Sequence, residues 1–130
     1  MRPWKYRLLD IAYAARRIRH WTGGMKKDDF LRDLRTLNAV LRDLEVIGEA
    51  ARHIPEHVAR TFPDVPWDKI RGFRHIAAHV YFRTDLDQVW KIVTEGVPIL
   101  EESIKPRVAR MFPGVDLERD PLHHLYPPGS

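Results

Sequence analysis

The chain contains no cysteine among its 130 residues. That excludes a disulfide scaffold, a cysteine-ligated zinc site and a thiol nucleophile. Nor is there an uninterrupted apolar run approaching the ~20 residues of a membrane span. Met1-Arg2-Pro3-Trp4-Lys5-Tyr6 leads into no apolar stretch of the secretory kind, so a cytoplasmic protein is expected. Glycine is sparse, with seven residues and no phosphate-loop spacing. Strand-like alternation and internal repeats are missing as well. What is present is 44% hydrophobic and 31% charged residues, the composition of one globular domain with a single core.

The charge balance is +4, and sixteen of the 22 basic residues are arginine. Guanidinium groups suit bidentate phosphate contacts, which favours an anionic partner such as nucleic acid. A solvated basic surface has the same composition, so charge alone does not decide.

The apolar periodicity is helical nearly throughout. Tyr6, Leu9, Ala12, Tyr13 and Ile18 suggest a first amphipathic helix ending near Thr22-Gly23-Gly24. Asp28 and Asp29 start a second, whose apolar positions run Phe30, Leu34, Leu37, Leu41 and Leu44 and continue into Gly48 and Ala51. Leu31, Val40, Val46 and Ile47 widen its apolar surface beyond one stripe, as a helix with a second subunit for a neighbour would require. Pro55 to Arg60 forms a short segment, and Pro66 is placed to begin a helix running from about Trp67 to Phe82. Thr84 is the expected N-cap of a last long helix carrying Leu86, Val89, Trp90, Val93, Val97, Leu100 and Ile104, in which Pro98 should cause a kink or remove a hydrogen bond. Five prolines follow from Pro106 onward, which reads as an irregular tail ending in Gly129-Ser130. The domain expected is therefore 1–105, with a proline-rich tail at 106–130.

Chemistry concentrates in Arg74-His75-Ile76-Ala77-Ala78-His79-Val80-Tyr81. On a helix at ~100° per residue, Ile70, Phe73, Ile76, Ala77 and Val80 share a core face. Arg71, Arg74, His75 and His79 fall on the opposite arc, with Tyr81 at its edge and Phe82 beside them. Three readings compete. One is a solvated helix face without a role. Another is a metal site at His75 and His79, which lacks the acidic partner of H-E-x-x-H and sits among arginines that repel cations. The third is an RNA-cleaving or phosphate-binding site, in which imidazole moves protons near neutral pH and guanidinium stabilises charge on a phosphorane.

Arg74-x4-His79-x-Tyr81 resembles the R-x4-H-x-Y motif of the HEPN superfamily, specifically the HepT-type toxins of HEPN–MNT pairs. Asn38 to Ala51 resembles the second-helix signature of that family, and Pro66 to Arg74 its lead into the motif. His79-Val80-Tyr81-Phe82-x-x-Asp85 and Val97-Pro98-x-Leu100 fit as well, so the similarity covers roughly residues 5 to 105. The resemblance implies an all-α antiparallel bundle of four to five helices that forms a homodimer. It implies a metal-independent endoribonuclease without a cofactor, the toxin of a type VII toxin–antitoxin system. Arg74 and His79 become its catalytic pair, with His75 and Arg71 in support. Tyr81 becomes the residue that an MNT-type nucleotidyltransferase antitoxin modifies with AMP.

One position departs from the family pattern. The residue after the motif arginine is commonly asparagine or aspartate, and here it is His75. It could take over that hydrogen-bonding role, serve as a second acid/base group, or mark a member that no longer cleaves. Geometry adds that Arg74 and His79 lie ~140° apart on an ideal helix, so one chain builds half a site and a second copy would complete it. Two non-enzymatic readings stand beside the ribonuclease: a helical dimer that binds RNA, a nucleotide or a protein, and a subunit that only docks the nucleotidyltransferase.

Overall fold

The computed structural model describes residues 3–119, and every regular element in that span is helical. In order they are α1 (Trp4–Thr22), α2 (Lys27–Leu31), α3 (Leu34–Arg52), α4 (Glu56–Ala59), α5 (Trp67–Arg71), α6 (Phe73–Ala78) and α7 (Arg83–Lys91). A π-helical turn at Ile92–Gly96 joins α7 to α8 (Val97–Met111). Tyr126 and Gly129-Ser130 lie outside the described residues. No helix of the described residues is long and apolar enough to cross a membrane.

The bundle is built on α1, which packs against both α3 and α8, while α6 packs on the far side of α3. Leu8, Ile11, Ala15 and Ile18 of α1 are buried completely, spaced three and four residues apart as one helical face requires. They meet Val40, Leu44, Ile47 and Ala51 of α3, and Val97, Leu100, Ile104 and Val108 of α8. These faces differ from the expected seams. Tyr6 is 36% exposed, Leu34 is 68% exposed, and Leu37 and Leu41 are only half-buried, so the seam from Leu34 to Leu41 lies toward the surface. Packing against two neighbours selected Val40 and Ile47, residues first read as widening that seam.

Aspartates set two of the helix boundaries. The Asp33 carboxylate accepts the Thr36 N–H at 3.0 Å and the Thr36 hydroxyl at 2.8 Å. Its side chain thereby caps α3 and divides the expected helix from Asp28 to Ala51 in two. Those hydrogen bonds, the backbone one first, hold its carboxyl below the usual range. The expected cap at Thr84 is likewise displaced. Helix α7 starts at Arg83, and the Asp85 carboxylate takes both the Tyr81 and the Phe82 N–H groups.

Pro98 sits at the second residue of α8, directly after the π turn, so the regular helix is interrupted beside the residue that lacks an N–H. Helix α8 continues through Pro106 to Met111, so the stretch from 106 to 111 is helical and not part of an irregular tail. Val108 is buried, and the Glu118 carboxylate returns to Arg19 at 2.8 Å and Lys105 at 3.0 Å, tying this end of the chain to the bundle.

Buried charge links α1 to α3. Arg17 Nε donates to Asp43 Oδ1 at 2.8 Å, and Trp21 Nε1 donates to Oδ2 at 3.0 Å. Arg17 is 6% and Asp43 4% exposed. Burial pushes the Asp43 carboxyl up, and Arg17 and Trp21 pull against that shift.

Candidate functional site

The helix expected from Trp67 to Phe82 is three pieces. Gly72 separates α5 from α6, and α6 ends at Ala78 with His79 as its C-cap. His79 has left the helical region at φ −126° and ψ 41°. Its ring closes the helix end: Nδ1 lies 2.9 Å from the His75 carbonyl, one of the carbonyls of the last turn of α6. A carbonyl only accepts, so Nδ1 carries the proton of this bond and Nε2 holds the lone pair of the neutral ring.

Because the helix stops, the polar residues do not form one outward stripe. Arg74 faces α3, where its Nη1 lies 3.3 Å from Glu49 Oε2. Glu49 also meets Arg52 and His53, each at 3.2 Å. The His53 hydrogen bond first, then the Arg52 and Arg74 charges, hold the Glu49 carboxyl below the usual range. Arg74 borders two adjoining hollows of about 490 and 280 Å³, shared with Arg42 and Glu45 and reaching Asn38 at one end and Arg7 at the other.

Gly48 makes this placement possible. A Cβ built there would lie 2.7 Å from the Arg74 backbone nitrogen, inside van der Waals contact. Only a glycine lets α6 approach α3 this closely.

His75 turns the other way. It borders an apolar groove of about 730 Å³ formed with Ile70, Phe73, Ile76, Ile92 and Ile99. Its ring stacks on that of His79 with centroids 4.2 Å apart and planes 28° apart, and His79 meets Tyr81 edge-on at 6.3 Å. Tyr81 is 74% exposed. Arg71 stands apart from both groups, bound to Asp68 at 3.0 Å and close to Glu56 at 3.9 Å.

So the fold brings His75, His79 and Tyr81 together, sends Arg74 to Glu49, and leaves Arg71 in a local ion pair. Among the described residues no hydrogen bond joins Arg74 to either histidine. Among the described residues no three potential metal ligands converge. From sequence, Glu49 has no separate role, Gly48 only a place in the second-helix seam and Asp85 only a place in the family signature. Glu49 did carry a signal, since it lies four residues before His53, one helical turn away.

An all-helical bundle, here with a histidine–tyrosine cluster at the end of a short helix and an arginine of that helix turned toward α3, is consistent with the HEPN class. Residues 11–106 match the family model described as HepT-like, ribonuclease HepT-like, and the chain belongs to that family. It is 40% identical over 94 residues to "Probable ribonuclease HepT" of Thermococcus cleftensis, covering 72% of this chain and 86% of that one. It is 37% identical over 98 residues to "Putative RNase MJ1380" of Methanocaldococcus jannaschii, covering 75% and 90% respectively. No solved structure matches the chain.

Proposed function

We propose that the protein is a homodimeric, metal-independent endoribonuclease, the toxin of a type VII pair, silenced when an MNT-type nucleotidyltransferase transfers AMP to Tyr81. The observation that carries this reading is the state of His79. Its ring is exposed, Nδ1 is occupied by the His75 carbonyl, and the lone pair on Nε2 is free to take a proton. In the reaction, Nε2 removes the proton from a ribose 2′-hydroxyl, and the 2′-oxygen attacks the adjacent phosphorus. The bond to the 5′-oxygen breaks, and an imidazolium returns a proton to that oxygen. The products are a 2′,3′-cyclic phosphate and a 5′-hydroxyl. Arg74 holds the phosphate and stabilises its developing charge.

Arg74 and His79 point to different sides of α6, which supports a site shared between two copies. Leu34 at 68% exposure and the half-buried Leu37 and Leu41 supply apolar surface along α3 for that contact, and Leu41 borders the Arg74 hollow. Tyr81 stands clear of the bundle, as an AMP acceptor must, and adenylylation there would add negative charge where RNA phosphate binds. The ion pair of Arg74 with Glu49 favours a second reading, a dimeric module that binds RNA without cleaving it.

Incubation with end-labelled RNA, with and without EDTA, tests the proposal. Cleavage that persists in EDTA and leaves cyclic phosphate ends is expected. Intact RNA under both conditions would leave the binding module. Reaction with ATP and the nucleotidyltransferase, followed by peptide mass analysis, is expected to put AMP on Tyr81.

A further inference from the structure

The fold leaves one phenylalanine in water. Phe30, Phe62 and Phe73 are each 5% exposed or less, whereas Phe82 is 71% exposed, next to Tyr81 at 74%. A large ring exposed this far contributes nothing to the core of its own chain. Its backbone is nonetheless held firmly. The Asp85 carboxylate accepts the Tyr81 N–H at 2.9 Å and the Phe82 N–H at 2.7 Å, which fixes the turn between α6 and α7. The turn therefore presents two adjacent aromatic rings from a rigid backbone.

We propose that Tyr81 and Phe82 form a stacking platform for unpaired bases of single-stranded RNA, with Phe82 as an RNA-contacting residue in its own right. The proposal rests on the ribonuclease reading of the same surface. The surroundings favour RNA over an apolar protein partner. Tyr81 continues a series of rings through His79 to His75, with centroid spacings of 6.3 and 4.2 Å. The side chain of Arg83, next in sequence, is 71% exposed and available to phosphate, with a 3.8 Å contact to Asp87. Aromatic faces among cations and imidazoles match alternating bases and phosphates. Only a single strand can splay its bases onto such a surface, since a duplex keeps them paired and stacked inside. Stacking is indifferent to base identity, so the platform would raise affinity without selecting a sequence.

Fluorescence anisotropy with a short unstructured 2′-O-methyl oligoribonucleotide tests this on the full chain, since blocking the 2′-hydroxyl prevents turnover. Phe82→Ala and Phe82→Leu are each expected to weaken binding at least about fivefold, the loss of one base stack. Phe82→Trp is expected to retain affinity and to show tryptophan quenching on RNA addition beyond that of the parent. A duplex of the same sequence is expected to bind without sensitivity to Phe82. Equal affinity of Phe82→Ala and the parent would overturn the proposal, as would full affinity of Phe82→Leu. Light scattering of the variants gives the remaining outcome: conversion to monomers would make Phe82 a contact between copies and would also overturn it. Phe82-dependent binding by a wild type that never cleaves would keep the platform and remove the ribonuclease chemistry. Cleavage with unchanged KM in Phe82→Ala alone would do the reverse.

Discussion

At the scale of single residues, the histidines and Arg74 have separable tasks. Removing a positioned acid/base group typically costs about 10²–10⁴-fold in rate, so His79→Ala is expected to abolish measurable cleavage. Arg74→Ala is expected to lose about 10²–10³-fold, the effect of deleting a charge-stabilising donor. Both side chains lie outside the core, so either variant should stay folded, with His79→Ala losing only the ring that closes α6. His75→Asn separates the two tasks open to His75. It keeps the backbone carbonyl that holds His79 Nδ1 but removes the stacked ring. Retained cleavage would assign His75 a hydrogen-bonding role, and a loss of orders of magnitude would make it an acid/base group. Glu49 governs a pH effect. Its folded-state carboxyl lies below the ordinary value of 4.5, so its ion pairs contribute stability that is complete above that value. The contribution is lost as pH falls through the depressed folded value. Being exposed, it amounts to within about 1 kcal/mol. Denaturant titrations at neutral and acidic pH should therefore show a smaller acid-induced loss for Glu49→Gln than for the wild type.

At the scale of elements, two glycines give opposite expectations. Gly48 lies where α3 and α6 touch, and the Cβ of an alanine would meet the Arg74 backbone at 2.7 Å. Gly48→Ala is expected to destabilise the fold by about 1–3 kcal/mol, the usual cost of overpacking. It should also reduce cleavage, because α6 must shift and carry Arg74 with it. Gly96 ends the π turn with a φ of −71°, and a Cβ there meets Ile92 at an ordinary 3.9 Å. Gly96→Ala is expected to stabilise by about 0.4–1 kcal/mol, because it restricts only the unfolded chain. Urea midpoints for the pair measure both signs.

At the scale of the whole molecule, assembly and the buried ion pair are the decisive features. Light scattering is expected to return twice the 15.3 kDa chain mass. Leu34→Asp and Leu41→Asp together should halve it, because both leucines reach the surface of α3. A monomer that still cleaves RNA would refute the shared site. Asp43 joins Arg17 and Trp21 across the α1–α3 interface. Asp43→Ala is expected to cost about 3 kcal/mol, because it removes a carboxylate bonded to both a buried guanidinium and the Trp21 indole. Thermal unfolding measures that loss independently of any activity.

The all-helical class was legible in the sequence because helical periodicity is a local property, repeated over many residues. The cluster from Arg74 to Tyr81 was legible for a similar reason, since chemistry-bearing residue types stood close together. Which way those residues point was not. An ideal helix drawn through Phe82 put Arg71, Arg74, His75 and His79 on one arc, whereas α6 stops at Ala78. The stop depends on the His79 ring finding the His75 carbonyl and on the Asp85 carboxylate gathering the next two amides. Helical periodicity carries no trace of either choice. The partner of Arg74 lies 25 positions away on another helix, at Glu49, and reaches it only because Gly48 lets the backbones close. Residue types and period come from the chain itself. Long-range packing decided where the helices end and which face each charge finds, because those outcomes depend on neighbours distant in sequence.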